Sequence, residues 1–334
     1  MAARPRSQPM GRTMHLAVSL NIASGAGQVS LTFAELAAFV RNMEAAGVDM
    51  VIISDSADAP STSPFEATTL LAALATVTSR IGLVASASTL AHQPYNLARR
   101  FASLDIISHG RIGWNATTAQ NPREAANFSR PEGFSDDDFR RRAREFINIV
   151  RALWIGWGRD ALLFDKAAGR FHDPDKMHPL NHIGEFFSVR GPLNVARSPQ
   201  DRPVLIMSGP SEADFDLASG AADVVLIEGR PSEALKVAVG DLKRRAAAIG
   251  RKPETVKVLA TMVLTSEPGA DSLQALLESS GCDGFNFVLP ADAPGLLSFT
   301  DRVLPELRRR GIAGQGQQGT TLRAHLALGA GGEQ

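Results

Sequence analysis

Short apolar runs alternate with longer amphipathic stretches along most of the chain. Runs of four to eight apolar residues bounded by polar or glycine positions read as buried strands, and apolar residues recurring every three or four positions read as helices. On this basis His15–Ile22 is a strand, Phe33–Ala46 a helix, Met50–Ser54 a strand and Phe65–Val77 a helix. The pattern repeats through strands Ile81–Ser88 and Ile112–Thr118 and helices Asn96–Ser108 and Asp138–Ile155. An irregular stretch rich in Gly, Pro, His and Asp, 156–202, then interrupts it and reads as an insertion after the fourth helix. The alternation resumes with strands Val204–Ser208, Val224–Ile227, Val256–Thr265 and Phe285–Leu289, followed by helices Ser211–Gly220, Ser232–Ile249, Ser272–Ser280 and Pro294–Arg310.

Eight strands, each followed by a helix and each a near-continuous Val/Ile/Leu run, predict an α/β fold of the (β/α)8 TIM-barrel kind. The expected organisation is a disordered leader over 1–13, one barrel domain over 14–313 and a Gly/Gln-rich tail over 314–334. Within that tail Thr321–Leu328 packs on the barrel or on a second subunit, or stays disordered. A doubly wound sheet is the alternative, but Ala23–Gly27 after the first strand lacks the glycine spacing of a dinucleotide fold and reads as a flexible loop.

With 334 residues, 44% of them apolar, the chain can bury a large core without staples. Equal numbers of acidic and basic residues leave a formal net charge of zero, so there is no basic field for nucleic acid or an anionic membrane. The lone Cys282 forms no intrachain disulfide, and no apolar run is long enough to span a bilayer, which points to a reducing cytoplasm. The partner expected is a small molecule.

In a (β/α)8 barrel the chemistry sits at the C-terminal ends of the strands. The polar residues there are Asn21, Asp55, Ser86, Ser88, Asn115, Thr117, Ser208, Ser211, Glu228 and Asn286, some as ligand contacts and others as helix caps. The stretch Gly110–Phe128 is central: a strand carrying Trp114, Asn115, Thr117 and Thr118 runs into a polar loop, as a small-molecule pocket requires. Ser208-Gly209-Pro210-Ser211 ahead of a helix suits a phosphate, although Glu212 and Asp214 in the first turn oppose an anion. His172, His178 and His182 match no zinc spacing and read as loop side chains, so no metal is expected. The arginines of 140–144 and 308–310 read as solvated helix faces, with Arg140 as a candidate to turn inward. No catalytic Ser-His-Asp or Cys-His set can be assembled.

The segment Ser108–Thr118, with Ala126-Asn127-Phe128 after it, resembles the nitrilotriacetate monooxygenase branch of the bacterial-luciferase-like flavin monooxygenases. Gly82–Arg100, Leu153-Trp154, Asp160–Gly169, Lys176–Gly184, Val189–Asn194, Ser198–Gln200, Asp283–Asn286 and Thr321–Arg323 follow the same branch, so the likeness covers nearly the whole chain. The resemblance implies a barrel that receives reduced FMN from a separate flavin reductase and uses oxygen on a small organic substrate, as a homodimer. By the same resemblance Asp55, Ser86 and Ser211 match flavin contacts; Asn115 joins them at the strand end. Where the family has a His and, four residues on, a Tyr before the fourth helix, this chain has Asp136 and Arg140, or Ser135 and Phe139 one register back. Arg140 can replace a phenol as a phosphate donor. A family glycine in the phosphate loop is Asp214 here, and three loops that would roof the pocket are shorter. The rival readings are a barrel that has become a binding or accessory protein and an enzyme of the same fold with another cofactor.

Overall fold

Eight strands form a closed parallel barrel in the computed structural model, which describes residues 14–25, 30–55, 61–128, 132–263, 270–289, 299–309 and 319–329. They are β1 (His15–Asn21), β2 (Met50–Ser54), β3 (Gly82–Ser88), β4 (Ile112–Thr117), β5 (Val204–Ser208), β6 (Val224–Glu228), β7 (Lys257–Val263) and β8 (Gly284–Leu289). Neighbours in sequence are neighbours in the wall, and β8 closes on β1 with His15 opposite Gly284. Helices cover the outside: α1 (Phe33–Ala45), α2 (Ala67–Val77), α3 (Pro94–Ile107), α4 (Asp136–Trp154), α5 (Phe215–Ala221), α6 (Ser232–Ala248), α7 (Ala270–Ser280) and α8 (Leu304–Arg309). The expected fold class is borne out. Because each strand is covered on both faces, its apolar run is continuous rather than alternating.

Successive side chains still alternate between the lumen and the helices. Trp114 points outward and is fully buried against Phe101, Phe146 and Trp154, with ring centroids 6.0–6.2 Å apart. Its indole donates to the Ala87 carbonyl at 3.0 Å. The expectation that Trp114 contributes to a pocket is therefore corrected: it is a core residue, and its neighbour Asn115 faces the lumen. Gly113, just before Trp114, faces the same side as Asn115, and a Cβ there would come within 2.8 Å of Ile206 and 3.0 Å of Val84 across the wall.

The lumen is packed by Ala17, Met50, Ile52, Val84, Val204, Ile206, Val224, Leu226 and Leu259. Leu322, Leu326 and Leu328 join this cluster from the N-terminal end of the barrel, where the short helix Leu322–His325 forms a floor. The Leu322 amide donates to the Gly110 carbonyl at 3.0 Å, and Arg323 reaches Asp223 at 3.1 Å. Thr321–Leu328 thus packs on its own barrel. Burial alone would raise the Asp223 carboxyl, yet Arg202, Arg323 and Arg251 around it hold it well below the usual carboxylate range.

Between α4 and β5, residues 156–202 carry two small hairpins, Leu162–Asp165 with Arg170–His172 and His182–Ile183 with Ser188–Val189. Glu145 on α4 fastens this segment, accepting from the Phe186 and Phe187 amides at 3.0 Å and pairing with His182 at 2.8 Å. At its other end Ser198 and Gln200 donate to the buried Asp105, whose carboxyl burial pushes up to about 6 against those hydrogen bonds.

Four further expectations change. Arg142 is not on a solvated face: it is buried, donates to the Thr89 carbonyl at 2.5 Å and lies over the rings of Phe134 and Phe187 at 5.3 and 4.8 Å. Within 23–27, Ser24–Gly25 is no flexible loop but pairs antiparallel with Ser61–Thr62. The helix expected over 211–220 begins as a 3-10 turn, Glu212–Asp214, and that over 294–310 is a π-turn, Phe299–Val303, running into α8. The leader and parts of the shortened roof loops, including 56–60 and 264–269, lie outside the described residues.

Candidate active site

At the C-terminal mouth the lumen turns from apolar to polar within one layer. Ser208 on β5 donates its hydroxyl to Asn115 Oδ1 at 2.8 Å, and Asn115 Nδ2 on β4 donates to Ser86 Oγ on β3 at 2.9 Å. The parallel register sets Ser86 beside Asn115, so three adjacent strands hold one continuous relay. Asn115 is only 4% exposed and is engaged by both serines, whereas Ser86 is half-buried at the mouth. Among the described residues no acceptor takes the Ser86 proton, which leaves that hydroxyl able to donate toward the mouth.

A second relay stands across the lumen. Ser19 on β1 donates to Asn286 Oδ1 at 2.8 Å, and Asn286 Nδ2 on β8 donates to Thr261 Oγ1 on β7 at 3.3 Å. Two hydroxyl–amide–hydroxyl chains thus border an apolar floor, and each ends on a hydroxyl that the amide has turned into an acceptor. Sequence reasoning found Ser208, Ser86, Asn115 and Asn286 but missed Ser19 and Thr261. The available signal was an isolated hydroxyl inside an apolar strand, on the face set by the period of two.

Beside the first relay a carboxylate group forms where three loops meet. Asp55, just past β2, accepts from the Ala67 amide at 2.8 Å at the start of α2, where Glu66 is the N-cap. Burial raises its carboxyl, and the neighbouring Glu66 charge adds to the rise. Glu124, in the helical turn Pro122–Ala125, is also raised by burial and by Asp55, against a hydrogen bond from Ser88. Ser88 is buried and also receives the Leu90 amide at 2.9 Å. His92 is lowered by burial and by Arg100, and its buried Nδ1 has no hydrogen-bond partner among the described residues. An open cleft of about 600 Å3 between the starts of α2 and α3 lies outward of this group, lined by Glu66, Thr69, Ala91, His92, Gln93, Asn96 and Arg100. It includes none of the relay residues. Glu124 and His92 were not found from the sequence, because only the meeting of loops in space joins them to Asp55.

The third part of the rim lies at the start of α5. Ser211 donates its hydroxyl to Asp214 Oδ2 at 2.5 Å, and the Arg140 Nε on α4 stands 4.0 Å from Asp214 Oδ1. Arg140 also pairs with Asp137 at 2.8 Å. Arg140 does turn toward the rim, but it meets a carboxylate there. Ser135 caps α4, Asp136 is exposed, and Phe139 is buried with Leu90 and Ala125. The expected phosphate cradle therefore already contains an anion belonging to the protein.

The remaining candidates serve the backbone or lie at the edge. Asn21 accepts from the Ala23 amide at 3.1 Å, the Thr117 carbonyl receives Thr89, and Glu228 is exposed next to Gly209. The three histidines of 156–202 disperse: His172 stands edge-on to Trp157, His178 is exposed and His182 pairs with Glu145. No group of three or more metal-binding side chains occurs among the described residues, and no described helix is long and apolar enough to cross a membrane.

The family model described as luciferase-like monooxygenase matches residues 14–321. N-acetyl-S-(2-succino)cysteine monooxygenase of Bacillus subtilis is 32% identical, with 89% of each chain covered. Nitrilotriacetate monooxygenase component A of Aminobacter aminovorans is 47% identical over 59% of this chain and 43% of its own. Among solved structures, EDTA monooxygenase from Chelativorans sp. BNC1 superposes with a TM-score of 0.82 at 24% identity, over 95% of this chain and 98% of that one, and supports the fold.

Proposed function

Given that the chain belongs to the luciferase-like monooxygenase family, we propose that it oxygenates a small organic substrate, using reduced flavin delivered by a separate reductase. The observation that carries this reading is the Ser208–Asn115–Ser86 relay, which directs one hydroxyl donor at the mouth above an apolar lumen floor. A flat heteroaromatic ring with acceptor atoms along one edge and apolar faces suits that combination. When bound, reduced flavin supplies the electrons with which oxygen is activated.

The chain's own residues bind, orient and exclude water. Ser86 donates to the ring edge, and Asn115, too buried to touch it, acts as a positioning residue that holds the Ser86 proton outward. Ile52, Val84, Ile206, Leu226 and Leu259 keep the space below the relays dry, which protects reactive species from water. Asp55 and Glu124, both raised by burial, are the carboxyls able to hold a proton next to the site. FMN is the cofactor expected from the resemblance. The relay offers its ring edge a hydroxyl donor, but its phosphate does not suit Ser211 and Arg140, which already face Asp214 and Asp137.

Titration of the purified protein with reduced flavin under anaerobic conditions, followed by oxygen and candidate substrates with a reductase present, tests the reading. Saturable binding and oxygen-dependent product support it, and failure of both oxidised and reduced flavin to bind at high micromolar concentration ends it. The altered Arg140–Asp214 corner favours a second reading, a barrel kept as a binding or accessory protein. Oxygen-dependent turnover excludes that one.

A further inference from the structure

The corner of the rim at Ser211 is built from groups that bind anions, and it is already neutralised from within. A hydroxyl (Ser211) and a guanidinium (Arg140) both face the Asp214 carboxylate, whose side chain is 16% exposed. Arg140 spends a further nitrogen on Asp137. Gly209, at φ +56 on the approach from β5, has the Glu228 carboxylate 3.4 Å from where its Cβ would stand. Glu212 is exposed in the same turn. Arg140 thus faces two carboxylates, Asp137 and Asp214, on a rim that also carries Glu212 and Glu228. A phosphate dianion brought here would have to expel Asp214 from Ser211 and Arg140 and still lie among carboxylates of its own sign. A polyol end has the opposite chemistry: its hydroxyls donate to Asp214 and Glu228, and the Arg140 pair can stay closed.

We infer that the chain takes its flavin with an uncharged, hydroxyl-terminated side chain, the riboflavin form, in preference to the phosphorylated form, and that Asp214 sets the preference. This rests on the flavin-dependent reading above and specifies the cofactor within it. It adds no covalent step, since the ring that carries the electrons is the same in both forms.

The test compares riboflavin and FMN on the full chain by fluorescence quenching for the oxidised forms and by anaerobic absorbance titration for the reduced forms. Wild type is expected to bind riboflavin at least about tenfold more tightly than FMN, the size of one like-charge contact at an effective dielectric between those of water and the protein surface. Asp214→Asn, which keeps the shape and removes the charge, is expected to lower the riboflavin-to-FMN preference by about tenfold while riboflavin affinity changes less than about threefold. The ratio of two ligands on one preparation is insensitive to a partly folded sample. Asp214→Ser serves as a second variant with the same expected direction. Equal or tighter FMN binding by wild type overturns the inference and leaves the flavin reading standing, as does a ratio that neither variant moves. Absence of binding by either flavin overturns both.

Discussion

Replacing Asn115 by leucine, alone and together with Ser86→Ala, separates a residue that touches the ligand from one that aims another residue. Asn115 makes two hydrogen bonds, at 2.8 Å from Ser208 and 2.9 Å to Ser86, and is 4% exposed. Leucine has nearly the same volume but cannot hold the Ser86 oxygen, so the Ser86 hydroxyl is free to rotate and its proton is no longer aimed at the mouth. A neutral hydrogen bond contributes about 1 kcal/mol net, so loss of the Ser86 donor weakens flavin binding by roughly fivefold. Asn115→Leu should give most of the same loss through that one contact. The double variant should therefore also lie near fivefold, a coupling of about 1 kcal/mol in a double-mutant cycle. The assay is quenching of flavin fluorescence, with thermal melts to confirm folding and His178→Ala, an exposed position on 156–202, as a control that leaves affinity unchanged. An additive loss of about 25-fold would show that Asn115 contacts the flavin separately, and no loss in Ser86→Ala would mean that the relay is not the binding edge.

Three other predictions concern the frame that holds the mouth. Asp223→Ala leaves Arg202, Arg251 and Arg323 without their shared buried carboxylate and should destabilise the fold by about 3–5 kcal/mol in a denaturant titration; a change below about 1 kcal/mol would refute that role for the cluster. Asp105 has a folded-state pKa raised to about 6, so its contribution to stability is fully present below the ordinary carboxylate value near 4 and is lost as pH rises through about 6. Stability of wild type relative to Asp105→Asn should therefore fall by up to about 3 kcal/mol between pH 4 and 6, and a flat difference would contradict it. Arg142→Leu loses the bond to Thr89 and the contacts with Phe134 and Phe187, and should lower stability by about 2 kcal/mol in the same titration, whereas Arg144→Leu, on the exposed side of α4, should change it little.

The barrel was legible because parallel strands covered on both faces leave continuous apolar runs, and β2 and β5 begin and end where the sequence places them. Ser86, Asn115, Ser208 and Asn286 were legible for a related reason: each is a polar residue at the end of such a run, where the lumen opens. Trp114 is adjacent to Asn115 in sequence, yet the alternation of a strand sends the two to opposite faces, so only Asn115 reaches the lumen. Arg142 follows the same logic on a helix. A run of arginines looks solvated, but Arg142 falls three residues after Phe139 and four before Phe146, on the buried face of α4. The floor at Leu322 and the meeting of Asp55, Glu124 and His92 depend on contacts between distant parts of the chain, which no local pattern records. At Asp214 the first-turn carboxylate was visible as an obstacle to phosphate, but its capture of both Ser211 and Arg140 required the packing of α4 against α5.

A crystal structure of the protein soaked with riboflavin bears most directly on the central claim, that the relay at the barrel mouth grips the flavin ring. The account predicts the ring seated over the apolar floor with a ring heteroatom within hydrogen-bond distance of Ser86 Oγ. A ring bound in the outer cleft between α2 and α3, or a mouth closed by side chains with no ring at all, would contradict it.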